Sequence, residues 1–108
     1  MDWLTLVQEC FNAGRVYYTR HARFEMEAEE FGRIYEEEVH QAILAGELIR
    51  EYGDDTPYPS VLLLGKTRQD RPLHIVCACD AEDNRAFVIT VYQPDPVKWI
   101  DFRIRRTT

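Results

Sequence analysis

No apolar run in the chain approaches the ~18 residues that a membrane span requires, and its first residues lack a basic stretch followed by an apolar one. The expectation is a soluble, cytoplasmic protein. Cysteine is sparse: Cys10, Cys77 and Cys79 are odd in number and form no double Cys-x-x-Cys pattern, which argues against a disulfide framework and a zinc module. His21, His40 and His74 add no recognised ligand spacing, so neither a metal nor a cofactor is expected. Walker, dinucleotide and Gly-x-Ser-x-Gly motifs are lacking too. Positive charge is the scarcer sign, with 13 Lys and Arg against 19 Asp and Glu. Nucleic-acid binders usually draw affinity from cations that displace counterions, so an overall acidic chain counts against tight autonomous binding. Without repeats, low-complexity tracts or linkers, residues 1–108 read as one domain.

What is present changes period once along the chain. Trp3, Leu6, Val7, Cys10 and Phe11 recur at helical steps, predicting a helix over residues 2–12 that ends near Gly14. Tyr17 and Tyr18 suggest a short extended piece. Thr19 is a suitable N-cap for a second helix from Arg20 to Phe31, with Phe24, Ala28 and Phe31 as its apolar stripe and Gly32 as its stop. A third helix from Tyr35 to Ala45 would place three glutamates in its first turn, Val39, Ala42 and Ile43 inward, and Gly46 at its end. Four strands follow, over 47–52, 60–67, 71–79 and 85–92, joined by short Asp-, Gly- and Pro-rich turns. Helices followed by a meander predict an α+β domain, with N-terminal helices on one face of a four-stranded, mainly antiparallel sheet.

The last two strands carry the candidate site. On the third strand Leu73, Ile75, Cys77 and Cys79 share one face, and His74, Val76 and Ala78 the other. On the fourth, Phe87, Ile89 and Val91 alternate with Ala86, Val88, Thr90 and Tyr92. Pairing Cys79 with Arg85 would set His74 opposite Thr90, with Tyr92 one step along the same face; a slip of one residue would separate them. His74 then reads either as a half-buried, hydrogen-bonded side chain or as a general acid/base beside a tyrosine hydroxyl. The cysteines fall on the helix-covered face, where thiols pack as small apolar groups.

A second cluster opens the second helix. Arg20, His21 and Arg23 lie near its N-terminus, where cations and free N–H groups attract phosphate, while Glu25 sits one turn beyond His21. The bland alternative makes His21 a rim residue. Near the carboxyl end, Trp99 and Phe102 are read as capping the sheet edge. Lys98, Arg103, Arg105 and Arg106 could steer an anion, face a partner's carboxylates, or be solvated.

His21-Ala22 with Glu25-Met26, Gly46-Glu47 with Ile49 and Tyr52, Pro57-Tyr58-Pro59-Ser60, Arg71-Pro72-Leu73-His74-Ile75-Val76, Thr90-Val91-Tyr92, Pro94-Asp95-Pro96 and Trp99 together resemble a family of small prokaryotic domains of unknown function, over about residues 17–101. That family in turn distantly resembles the RelE-, BrnT- and MqsR-like toxin ribonucleases. The resemblance implies a RelE-like fold, a toxin-antitoxin pair, RNA as substrate, an antitoxin-like protein as partner, and cleavage without a metal. The implied roles divide acid/base work between His21 and His74, assign phosphate to Arg20 and Arg23, and use Tyr92 with Thr90 to orient it. Glu25 departs from the pattern, since many members carry arginine there. A weakened toxin, or a protein-binding module without chemistry, is the alternative that the acidic balance invites.

Overall fold

The computed structural model describes residues 1–107. Helix α1 (Trp3–Asn12) is capped by Asp2, whose carboxylate accepts from the Thr5 N–H at 3.1 Å, and buries Leu6, Val7, Cys10 and Phe11. Gly14, at φ +71°, takes the left-handed turn that releases the chain into β1 (Val16–Tyr18). Helix α2 (Arg20–Ala28) starts at the Thr19 cap, with the Thr19 hydroxyl accepting from Ala22 N–H at 3.1 Å. It ends three residues earlier than its pattern suggested. The cause lies in Ile34, which is 1% exposed and whose N–H donates to Met26 O at 2.9 Å, turning the chain back into the core.

The predicted stripe of α2 is also corrected. Ala22 and Met26 are its buried residues, whereas Phe24 is 68% and Phe31 46% exposed. Helix α3 (Glu36–Leu44) buries Val39, Ala42 and Ile43 as its spacing requires, and the Glu38 carboxylate accepts from Tyr35 N–H at 3.0 Å to close the first turn. Strands β2 (Glu47–Tyr52), β3 (Ser60–Lys66), β4 (Pro72–Asp80) and β5 (Arg85–Tyr92) form the meander. A small hairpin, β6 (Trp99–Ile100) and β7 (Ile104–Arg105), closes the described chain.

The main sheet has five strands rather than four, in the order β1-β5-β4-β3-β2, and is mixed because β1 runs parallel to β5. The helices pack on one face, over Val61, Leu63, Leu73, Ile75, Cys77, Cys79, Ala86, Val88 and Val91, and this is the main core. Burial of each Val, Leu or Ile side chain contributes about 1.5–3 kcal/mol. Helix α3 crosses β3 at Gly65, where an added Cβ would lie 1.8 Å from Ala42 O. Only glycine allows that approach.

The β4–β5 register differs twice from the expected one. At the turn Asp80, not Cys79, pairs with Arg85, and a bulge between Val76 and Cys77 leaves Ile89 unpaired. Each change shifts the pairing by one residue in the same direction. With a side-chain period of two, the double shift restores the face: His74 lies opposite Tyr92, and Thr90 opposite Val76. The bulge also corrects the split of β5, for Ala86, Val88 and Val91 all face the core.

Candidate functional site at the edge of the fifth strand

Strand β1 covers β5 only as far as Val88, so the backbone beyond Val88 has no neighbouring strand on that side. Helix α2 supplies the missing partners with side chains. Thr19 N–H donates to Val88 O at 3.0 Å and its hydroxyl to Ile89 O at 3.3 Å. Glu25 Oε1 accepts from Val91 N–H at 3.2 Å, and Glu29 Oε1 accepts from Gln93 N–H. Two carboxylates one helical turn apart thus meet alternate N–H groups of an extended strand. The edge is satisfied without another strand.

His21 stands one turn before Glu25, with Nε2 3.3 Å from Glu25 Oε1 and its side chain 65% exposed. The carboxylate that holds the β5 edge therefore also holds the imidazole. Tyr92 follows Val91 on the same strand, and Glu25 is close enough for its charge to raise the phenol pKa. That pKa is pushed up to about 12, chiefly by burial, while Arg105 opposes the rise. Tyr92 consequently keeps its proton across the neutral range.

His74 is fully buried at 0% exposure, and both ring nitrogens are engaged. Nε2 lies 2.6 Å from the Phe102 carbonyl, which can only accept, so Nε2 carries the proton and Nδ1 accepts from the Tyr92 hydroxyl at 3.0 Å. The Trp99 ring meets the imidazole edge-on, 4.5 Å between centroids. Burial lowers the His74 pKa against the opposing pull of the Phe102 carbonyl, which favours the neutral ring. In this arrangement His74 fixes Tyr92 and ties down the β6–β7 hairpin; it presents no surface to a substrate. Trp99 and Phe102 reach the site through a hairpin, whose turn puts Asp101 and Phe102 at positive φ (53° and 59°).

The sequence-selected phosphate ligands are not brought together. Arg23 lies on the other flank of α2, bonded to Glu36 at 3.1 Å with its guanidinium 5.2 Å from the Tyr18 ring centroid. Arg20 is exposed in the first turn, and Thr90 shares the Tyr92 face opposite Val76. Many other cations are neutralised by neighbours: Arg71 by Glu38, Arg85 by Asp80, and Arg103 by Glu47. Cys10, Cys77 and Cys79 are buried as free thiols, with burial pushing the Cys79 pKa up to about 12. Among the described residues, no three His, Cys, Asp or Glu side chains converge as a metal site.

A groove of about 520 Å³ lies elsewhere, between α3 and the turn after β3, with His40, Lys66 and Arg68 on its walls. It contains none of the sequence-selected residues. A cleft of about 280 Å³ does contain Tyr92, together with Lys98, Trp99 and Arg105. Sequence reasoning missed the edge-capping role of Glu29. Its signal is the His21, Glu25, Glu29 series at intervals of four, which sets the three on one flank of α2.

Comparison with curated proteins and with solved structures finds no match for the chain. The model of a family described as a domain of unknown function, DUF4258, matches residues 18–93, from the last residue of β1 through the end of β5. This span covers His21, Glu25, His74, Thr90 and Tyr92, and by it the chain belongs to the DUF4258 family of domains of unknown function.

Proposed function

We propose that this protein is a toxin-type ribonuclease that cleaves RNA without a metal, acting at the edge of β5. The observation that supports this reading is the exposed His21 imidazole, held 3.3 Å from Glu25, whose carboxylate also accepts from the N–H of Val91, the residue before the His74-anchored Tyr92. His21 takes the proton of a ribose 2′-hydroxyl as that oxygen bonds to phosphorus. The phosphorus–5′-oxygen bond breaks and the leaving oxygen takes a proton from water, while the Tyr92 hydroxyl, its own proton held by His74 Nδ1, orients that water as an acceptor. Thr90 orients the phosphate from the same face. Arg20 steers it towards the helix end, and His74 acts as a positioning residue.

The test is incubation of the purified protein with a defined single-stranded RNA in excess chelator, for wild type and His21→Ala. Cleavage with a 2′,3′-cyclic phosphate end that falls ~10²-fold or more in the variant supports the assignment. Equal cleavage by both proteins rules it out.

A second reading, a protein-binding module, is favoured by a different feature. Phe24, Phe31 and Tyr35 are 68%, 46% and 57% exposed, on α2 and the segment that follows it. Large exposed apolar groups of this kind suit an interface, here with an antitoxin-like partner.

A further inference from the structure

The chain continues past the family-matched span into the β6–β7 hairpin, and this segment forms one wall of the 280 Å³ cleft beside Tyr92. Lys98 and Arg105 bring two cations to that wall, and Trp99 brings an indole. Arg105 lies with its guanidinium carbon 5.9 Å from the Trp99 ring centroid and donates from Nη1 to Lys98 O at 3.0 Å, which fixes its direction. Lys98 has no ion-pair partner among the described residues.

Three carboxylates also border the cleft, and two of them accept backbone hydrogen bonds while keeping their charge. Glu29 accepts from Gln93 N–H, and Asp95 Oδ1 accepts from Val97 N–H at 2.9 Å. Glu30, exposed on the rim, opposes an anion. The space is at the small end of ligand pockets, enough for one phosphorylated nucleoside. Glu29 on its far wall is eight residues along α2 from His21, about 12 Å along the axis, a distance that a short RNA segment spans.

The geometry points to this cleft as a nucleotide subsite, in which Lys98 and Arg105 hold a phosphate and the Trp99–Arg105 pair takes the base, with Tyr92 as part of the wall. The assignment rests on the RNA-directed reading above, and it moves the phosphate ligands from α2 to the hairpin. Lys98, without an ion-pair partner among the described residues, and Arg105, directed by its bond to Lys98 O, give the cleft two cationic donors that work against the charges of Glu29, Glu30 and Asp95. An aromatic–guanidinium surface binds any base by stacking.

The test is titration of the full chain with adenosine 3′-monophosphate, adenosine and inorganic phosphate, read at the indole N–H signals of Trp99 and Trp3 by NMR. The nucleotide should shift Trp99 and leave Trp3 in place, and should bind roughly tenfold more tightly than phosphate or adenosine alone. Lys98→Ala and Arg105→Ala should each weaken it about tenfold, the scale of one charge-assisted contact. Glu30→Gln should tighten it severalfold. No shift at Trp99 at millimolar nucleotide, or wild-type affinity in both cation variants, overturns the assignment. Nucleotide binding that depends on Lys98 and Arg105, in a protein that cleaves no RNA, upholds the subsite and ends the ribonuclease reading. RNA cleavage that both variants leave unchanged does the reverse.

Discussion

His74 and Tyr92 face each other across β4 and β5, and the Tyr92 hydroxyl donates to His74 Nδ1 at 3.0 Å while Nε2–H is spent on the Phe102 carbonyl. Protonating the buried ring would destroy its acceptor. Its folded pKa is lowered from the ordinary imidazole value of 6.5, so just below that value the unfolded chain binds a proton that the folded chain refuses. Stability from this group is complete above the unfolded pKa and is lost as pH falls from there through the folded pKa. Urea unfolding between about pH 7.5 and about pH 5 should show that loss in the wild type and a flatter profile in His74→Gln. Equal slopes would contradict a neutral buried imidazole.

Tyr92→Phe should cost about 1 kcal/mol, since Nδ1 then keeps no donor. Hydrogen exchange in β6 and β7 should change little in this variant, because the bond from Nε2 to Phe102 is retained. In His74→Ala both bonds are lost, the cost should rise to about 3 kcal/mol, and the hairpin should exchange faster.

Arg71 is a clamp that a lysine cannot replace. It is 17% exposed at the side chain, and its guanidinium reaches Glu38 at 3.1 Å, Arg33 O at 3.0 Å, Gln93 Oε1 at 2.7 Å and Gly32 O. It thereby joins the α2–α3 connection to the starts of α3 and β4 and to the residue after β5. Lysine offers one ammonium in place of a planar fork, so Arg71→Lys should lose about 1–3 kcal/mol in denaturant unfolding.

Gly65→Ala tests the approach of α3 to β3. A methyl 1.8 Å from Ala42 O cannot fit unless the helix moves, and the expected cost is about 3 kcal/mol. An unchanged thermal midpoint would show that α3 does not lie where the structure places it.

Much of the frame is legible in the residue pattern: Leu6, Val7, Cys10 and Phe11 predict α1 because burial imposes the helical period, and apolar segments separated by short turns predict the meander. The misreadings have physical reasons. Phe24 and Phe31 look like a core stripe because aromatic residues usually are, but Ala22 and Met26 are the residues that face β5 and Ile34. The parallel pairing of β1 depends on where a three-residue strand docks, which no local pattern encodes. His74 and Tyr92 share a face despite the wrong register, because the turn offset and the bulge compensate, and His74 lies opposite Tyr92 rather than Thr90. Nothing in the residue types announces the ring's complete burial, which depends on a hairpin that folds back from residues 99–105.

The centre of the proposal is a division of labour between the two histidines, with His21, exposed and carboxylate-held, as the group that moves a proton and His74, buried, as the one that sets Tyr92 in place. The most direct measurement is the pH–rate profile of RNA cleavage for wild type, His21→Ala and His74→Gln. The account predicts that His21→Ala loses cleavage together with the limb that reports the base, while His74→Gln lowers the rate and retains that limb. Loss of the limb in His74→Gln with its retention in His21→Ala would contradict it.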